Sequence, residues 1–228
     1  MFGFILPVEE IAAMCREYGV PFVLDASQSA GVLNVDMEAL GAEFVAMPGH
    51  KGLLGPQGTG VLLCRDRARP IMAGGTGSES RNQAMPETLP DALEAGTHNI
   101  PGIAGLLAGL RYVKRRGLES IDAHERKLKG LMCRKLAGIS GLEVFSSPTA
   151  QSGVLSVRSG KLGSEEIAAA LGARGVAVRA GLHCAPLAHQ SAGTLEGGTV
   201  RFSFSPFNNA AEIDRAAAEL VRILKMSS

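Results

Sequence analysis

The chain has no tryptophan, and aromatic residues make up only 4% of its 228 residues. A core for a chain of this length must therefore be built from Leu, Val, Ile, Ala and Met. It also lacks an excess of either charge: 23 Lys and Arg stand against 22 Asp and Glu, for a net charge of +1. Nothing in that balance suggests a basic surface built for nucleic acid, and no nucleic-acid partner is expected. With 46% apolar and 20% charged residues, the composition is not that of a disordered chain. Cysteine is scarce. Cys15, Cys64, Cys133 and Cys184 form no CxxC pair, no zinc spacing and no disulfide framework. A reducing, cytoplasmic setting is the expectation. No apolar run reaches the ~18 residues of a membrane span, so no membrane partner is expected. The opening MFGFILPVEE has neither a basic n-region nor a small-residue cleavage site, and does not read as a signal peptide.

Glycine, by contrast, is abundant: 29 residues, about 13% of the chain against a usual ~7%. Tight turns and close backbone approaches should be frequent. Between them runs an alternation of helical and short apolar patterns. Residues 8–18 space Val8, Ile11, Ala12 and Cys15 for a helix, with Pro7 at its start and Gly19 at its end. PFVLD (21–25), AEFVAM (42–47) and TGVLLCR (59–65) read as buried strands, with a short helical turn at 35–40. The alternation predicts α/β layering around a mostly parallel sheet.

Residues 70–100 are rich in Gly, Pro, Ser and Asn, a long irregular stretch of the kind that serves a site or an interface. Helices are predicted over 101–116, where Ala104, Gly105, Ala108 and Gly109 make a small-residue face, and over 119–136. Strands are predicted at 141–146, 152–159, 175–179 and 199–206. Helices are predicted at 164–173, opened by Ser164, and at 210–225. The expected division is an α/β unit over 1–110 and an α+β unit over 111–228.

The segment PGHKGLLGPQGTG (48–60) sets Lys51 in a glycine-rich loop. A phosphate loop would need Gly-Lys-Ser or Gly-Lys-Thr, and here His50-Lys51 is followed by Gly52. Asp25 closes one predicted strand and Lys51 follows another. In a parallel sheet both would reach the ligand-binding edge. A carboxylate that keeps a ring nitrogen protonated, with an amine able to form a Schiff base, is the arrangement pyridoxal phosphate needs. Gln28 and His50 lie within reach of the same ligand. The alternatives are ordinary: Asp25 as the cap of the following turn, Lys51 as a solvated loop lysine, Gln28 and His50 as surface groups.

Cys184 lies in VRAGLHCAPLAH, beside His183 and upstream of His189, with Arg179 and Arg201 at the ends of flanking strands. Arginines would favour the thiolate, or clamp a carboxylate bidentately. A buried apolar cysteine is the plain alternative. A zinc site from His183, Cys184 and His189 would have only three ligands, two of them adjacent, and is disfavoured; no metal is expected.

Five blocks fall in a characteristic order: VLDASQSAG (23–31), MPGHKGLLGPQGTG (47–60), EAGTHN (94–99), AVRAGLHCAPLAHQSAGT (177–194) and GTVRFSFSPFNN (198–209). Together they resemble the class V aminotransferase-fold family, in its cysteine desulfurase branch with an R-x-G-x-H-C-A-P block. The resemblance implies a type I pyridoxal-phosphate transferase fold: part of a large cofactor-binding domain over 1–110, and a C-terminal α+β small domain over 111–228. It implies Lys51 as the Schiff-base lysine, Asp25 at the pyridinium nitrogen, Gln28 at the ring hydroxyl oxygen and His50 near the phosphate. Thr97 would approach the phosphate of a second subunit's cofactor, so a homodimer is implied. Arg201 would hold the substrate carboxylate and Arg179 would line the same pocket. Cys184 would take sulfur from L-cysteine as a persulfide, leaving alanine, for a sulfur-acceptor protein. A selenocysteine lyase, or a class V transaminase or lyase without thiol chemistry, are the neighbouring readings. The opening MFGFILPVEEI aligns with the middle of a family member, so a late-starting reading frame or a fragment is expected. An inactive assembly or dimerisation module is the corresponding alternative.

Overall fold

The structure is a computed structural model and describes every residue except Arg67, Pro148, Ser227 and Ser228. It divides into two compact units, Pro7–Glu119 and Met1–Leu6 with Ser120–Ser228. The six opening residues group with the C-terminal unit.

In the unit Pro7–Glu119, helix α1 (Val8–Glu17) precedes strand β1 (Val23–Asp25). Helix α2 (Met37–Leu40) is capped by the Asp36 carboxylate, which accepts from the Glu38 and Ala39 amides, and is closed by Gly41 in the left-handed region. Strands β2 (Phe44–Pro48) and β3 (Gly60–Cys64) complete the sheet, and helix α3 (Ile100–Arg116) closes the unit. The strand order is β1-β2-β3. β1 pairs parallel to β2 and β3 runs antiparallel to it, so the sheet is mixed, with two of its three strands running the same way. The return through the 48–60 loop is too short for the crossover that a parallel neighbour would need. The core gathers Ala12, Ala26, Ala30, Leu40, Ala42, Val45, Leu53 and Leu106, which are small and aliphatic as the composition requires.

The small-residue face of α3 has its partner inside this unit. A Cβ on Gly109 would collide with the backbone of Leu53 and Leu54, and one on Gly105 would sit 2.7 Å from the Pro56 ring. Leu106, between them, is buried. α3 therefore braces the loop that carries Lys51. Its N-terminus is capped by Asn99, whose side-chain oxygen accepts from the Gly102 amide at 3.0 Å.

The other unit holds α4 (Leu118–Leu136, here from Ser120), β4 (Leu142–Phe145), β5 (Val154–Ser159), α5 (Ser164–Gly172), β6 (Arg179–Gly181), α6 (Pro186–Ser191), β7 (Thr199–Ser203) and α7 (Ala210–Met226). Its antiparallel sheet has the order β4-β5-β7-β6. Period-two alternation puts Leu155 and Val157 opposite Phe202 and Val200 on one face. That face is buried with Leu128, Met132 and Leu136 of α4, Ile167 and Leu171 of α5, and Ile213, Leu220 and Leu224 of α7. The other face is polar: Ser156 pairs with Arg201, and Arg201 with Arg179.

Three sequence expectations are corrected here. The strand expected at 175–179 is Arg179–Gly181, which pairs with β7 from Arg201 to Thr199. Val176 and Val178 instead pack against the core. The strand expected to run to residue 206 ends at Ser203, since the Ser205 amide turns to the Asn208 side chain. Gly163, not Ser164, is the N-cap of α5: Glu166 reaches back to the Gly163 amide at 2.9 Å, and the Ser164 hydroxyl donates to the Gly197 carbonyl.

The opening residues are tied down by Gln151, which is fully buried. Its amide donates to the carbonyls of Phe2, Phe145 and Val154, and its oxygen accepts from Lys129 Nζ and the Ser147 amide. Phe2 packs its ring on Phe145 and His189.

Candidate functional site

Asp25 ends β1, and Lys51 follows the carboxyl end of its parallel neighbour β2. Asp25 does cap the following turn: its Oδ1 accepts from the Ser27 amide at 2.8 Å. Bonds from Ser27 hold the carboxyl below its usual range, and the Lys51 charge acts in the same direction. The acid and the amine are thus electrostatically coupled as well as neighbours in the sheet.

Lys51 stands at the crest of a loop that is closed on itself. The Gly49 amide donates to Thr59 O at 2.8 Å, the Gly55 amide to Gly49 O at 2.7 Å, and the Leu54 amide to Lys51 O at 2.9 Å. Leu53 anchors the loop in the core, and Gly52 sits against the Ala30 carbonyl where no side chain fits. The lysine is therefore exposed on a rigid support. Gln28, in the turn after Asp25, and His50, beside Lys51, are exposed. Thr97 is exposed in the irregular stretch before α3, next to His98, whose Nδ1 meets Glu94 at 2.8 Å.

In the C-terminal unit, Arg179 and Arg201 lie directly opposite each other at the end of the β6–β7 pair. Arg201 Nε is buried with no hydrogen-bond partner. Burial first, and Arg179 second, pull the Arg201 guanidinium below the usual arginine range, while Cys184 acts the other way. Arginine stays charged regardless. A buried orphan donor beside a second cation is a receptor for an anion with several acceptor oxygens.

Cys184 is exposed at the tip of the turn after β6. The Ala185 amide closes this turn on the Leu182 carbonyl at 2.9 Å. Its two central residues, His183 and Cys184, have φ of 51° and 61°. Such a turn ordinarily uses Asn-Gly, and each non-glycine residue held there costs about 1–2 kcal/mol. His183 Nε2 is tied to the carbonyl and hydroxyl of Thr199 at 3.2 and 3.3 Å. Burial, then the charge of Arg201, bring the His183 imidazole down to about 4, so it is neutral near pH 7. His189 is fully buried and bonds Thr194, a pairing the sequence did not suggest. His183, Cys184 and His189 do not assemble as metal ligands, and among the described residues no cluster of three or more His, Cys, Asp or Glu could hold an ion.

The comparisons with known proteins bear on this arrangement. The family model described as aminotransferase class-V matches residues 1–216. The chain belongs to the class-V aminotransferase family. A probable cysteine desulfurase from Methanothermobacter thermautotrophicus is 36% identical over 232 aligned positions, covering 98% of this chain and 58% of the relative. Among solved structures, the apo cysteine desulfurase from Thermococcus onnurineus superimposes with a TM-score of 0.90 at 34% identity, over 98% of this class-V chain and 57% of that one. An S-sulfonic acid form of an Escherichia coli cysteine desulfurase gives 0.88 at 27%, over 97% and 56%. The fold is thus the α/β type I architecture of pyridoxal-phosphate enzymes, with elements of its large and small domains. The class-V chain spans somewhat over half the length of the relatives it matches. Among the described residues no helix is long and apolar enough to cross a membrane.

Proposed function

We propose that this protein acts as a pyridoxal-phosphate-dependent cysteine desulfurase, converting L-cysteine to L-alanine and taking the sulfur onto Cys184 as a persulfide. The observation that carries the reading is the Cys184 turn. It holds an exposed thiol in a costly left-handed backbone, beside the paired arginines Arg179 and Arg201. A buried apolar cysteine would need neither the exposure nor the strain. The desulfurase names borne by the relatives support it.

The residues at the ends of β1 and β2 fit the cofactor. A carboxylate kept anionic by Ser27 suits a protonated ring nitrogen, and an exposed lysine on a rigid loop suits the aldehyde. Bound there, pyridoxal phosphate supplies an electrophilic carbon and an electron sink for the substrate's α-carbon. In this reading Asp25 holds the ring nitrogen, Gln28 donates to the ring oxygen and His50 contacts the phosphate. Thr97 approaches the phosphate site of a second subunit in a homodimer. Lys51 Nζ accepts the α-proton of cysteine. Arg201 and Arg179 bind the substrate carboxylate through the fork geometry that lysine cannot supply. Cys184 Sγ then bonds the substrate sulfur as the Cβ–S bond breaks; the released electron pair takes up a proton and becomes a C–H bond of alanine. Cysteine and thiol give alanine and persulfide, with no outside oxidant. The exposed persulfide is open to an acceptor thiol.

The test supplies pyridoxal phosphate and L-cysteine to the purified protein and measures alanine and, with a reductant, sulfide. Equal yields of both, lost on Cys184→Ala, are expected. Amino-acid conversion that survives Cys184→Ala at the parent rate would replace this reading with a transaminase or lyase. Dependence on Cys184 for cysteine but not for selenocysteine would point to a selenocysteine lyase. An assembly role alone draws on the exposed stripe Ile100, Ile103, Leu107 and Leu110 of α3, and would be left if no product formed.

A further inference from the structure

We propose that His189 is a positioning residue for Cys184, acting through His183. The kinetic part of the inference rests on the desulfurase reading; the structural part does not.

The hydrogen bonds fix both rings. The Thr199 carbonyl can only accept, so His183 carries its hydrogen on Nε2. The Thr194 hydroxyl donates to the His189 carbonyl at 3.4 Å, so it accepts from His189 Nδ1–H at 2.8 Å. Each ring is then a defined neutral tautomer. The His183 and His189 rings lie 5.7 Å apart, inclined by 35°, and the His189 ring also packs on Phe2 at 5.5 Å. Thr194 and His189 are both fully buried. His183 is thus held at two points, by the hydrogen bonds of its Nε2 to Thr199 and by ring contact with His189, which is itself bonded to Thr194. Its own backbone and that of Cys184 are the two left-handed residues of the turn.

The imidazole at 189 is not there for volume. Its Nε2, like His183 Nδ1, is buried with no partner. Leucine or phenylalanine would fill the space without leaving an acceptor orphaned. What they would lack is the Nδ1 bond to Thr194, which fixes the ring in contact with His183.

The test uses Thr194→Val, Thr194→Ser and His189→Leu in the otherwise native protein. Amide exchange is followed at Ala185, whose N–H closes the turn. Removing the anchor should raise its exchange about fivefold to tenfold, the effect of losing one buried hydrogen bond, while amides of β5 and β7 keep their protection. Thr194→Ser, which retains the hydroxyl, should restore the native rate. In the kinetic arm, Thr194→Val and His189→Leu should lower kcat for alanine formation about tenfold with KM for cysteine within about twofold, and Thr194→Ser should rescue kcat. Native exchange at Ala185 in both Thr194→Val and His189→Leu would overturn the proposal. So would a uniform loss of protection through β4–β7, which would mark His189 as a core residue only. A parent protein without desulfurase activity would refute the functional reading, while the exchange arm would still decide this one.

Discussion

Arg179 and Arg201 face each other across the β6–β7 pair, two like charges where a sheet ordinarily places complementary ones. The placement weakens the sheet unless an anion completes it. Arg201→Lys keeps the charge and loses the fork. The expected result is a rise of roughly tenfold to a hundredfold in KM for cysteine with cofactor binding retained. Arg179→Gln should weaken substrate binding while leaving the melting temperature unchanged or raising it, since about 0.2–1 kcal/mol of like-charge repulsion is relieved. A loss of stability in Arg179→Gln would show the pair to be structural.

Much of this arrangement was legible in the sequence. Asp25 and Lys51 could be read as strand-end residues because apolar runs of a few residues ending in a charge or a glycine turn have few other interpretations. The course of β3 was not legible, because strand direction is set by the connection and TGVLLCR suits either sense. The shift of β6 to Arg179–Gly181 was hidden for a similar reason: Val176 and Val178 have strand-like periodicity but pack on the core without a ladder partner. His189–Thr194 and the web around Gln151 escaped because neither spacing is a known signature and both pairings depend on how α6 and the opening residues pack.

The contact of α3 with the Lys51 loop depends on Gly109. Ala in its place would drive a methyl group into the backbone of Leu53 and Leu54. Gly109→Ala should destabilise the unit by about 1–3 kcal/mol, the usual cost of overpacking, and should reduce cofactor affinity through displacement of the loop. Denaturant unfolding and cofactor titration check the two effects. Gly130→Ala in α4 is the control, since a Cβ there meets only the end of the Arg134 side chain at 3.5 Å.

Two titrating groups of the C-terminal unit, the buried Glu125 and the half-buried His183, give opposite pH signatures. Burial, with a smaller contribution from Asp122, raises Glu125 to about 7 from an ordinary 4.5. Its folded form holds a proton that the unfolded chain has released, so stability is lost as pH rises from 4.5 through 7. Glu125→Gln should flatten that limb and stabilise the protein above pH 7 by roughly 2–3 kcal/mol. His183 is lowered to about 4 by burial first and Arg201 second, so its contribution is lost as pH falls from 6.5 through 4. His183→Gln should remove that acid-side loss while disturbing the turn. Thermal melts from pH 4 to pH 9 separate the two, and unchanged high-pH stability in Glu125→Gln would contradict the assignment of Glu125.

Lys51→Ala and Cys184→Ala should fail differently. Without the amine, the visible absorption of the bound cofactor should be lost. Without the thiol, that absorption and substrate binding should persist, because Asp25, Lys51 and Arg201 are untouched. Loss of the cofactor spectrum in Cys184→Ala would indicate that this turn supports the cofactor rather than accepting sulfur.

The central claim is that Cys184 receives the sulfur of the substrate. The most direct measurement treats the protein, loaded with pyridoxal phosphate, with one equivalent of L-cysteine carrying isotopically labelled sulfur, then locates the label by peptide mass spectrometry. The account predicts one labelled sulfur on the peptide containing Cys184, matched by one alanine released, and no label on Cys15, Cys64 or Cys133. Alanine released with no labelled sulfur on Cys184, or labelled sulfur on a different cysteine in Cys184-intact protein, would contradict it.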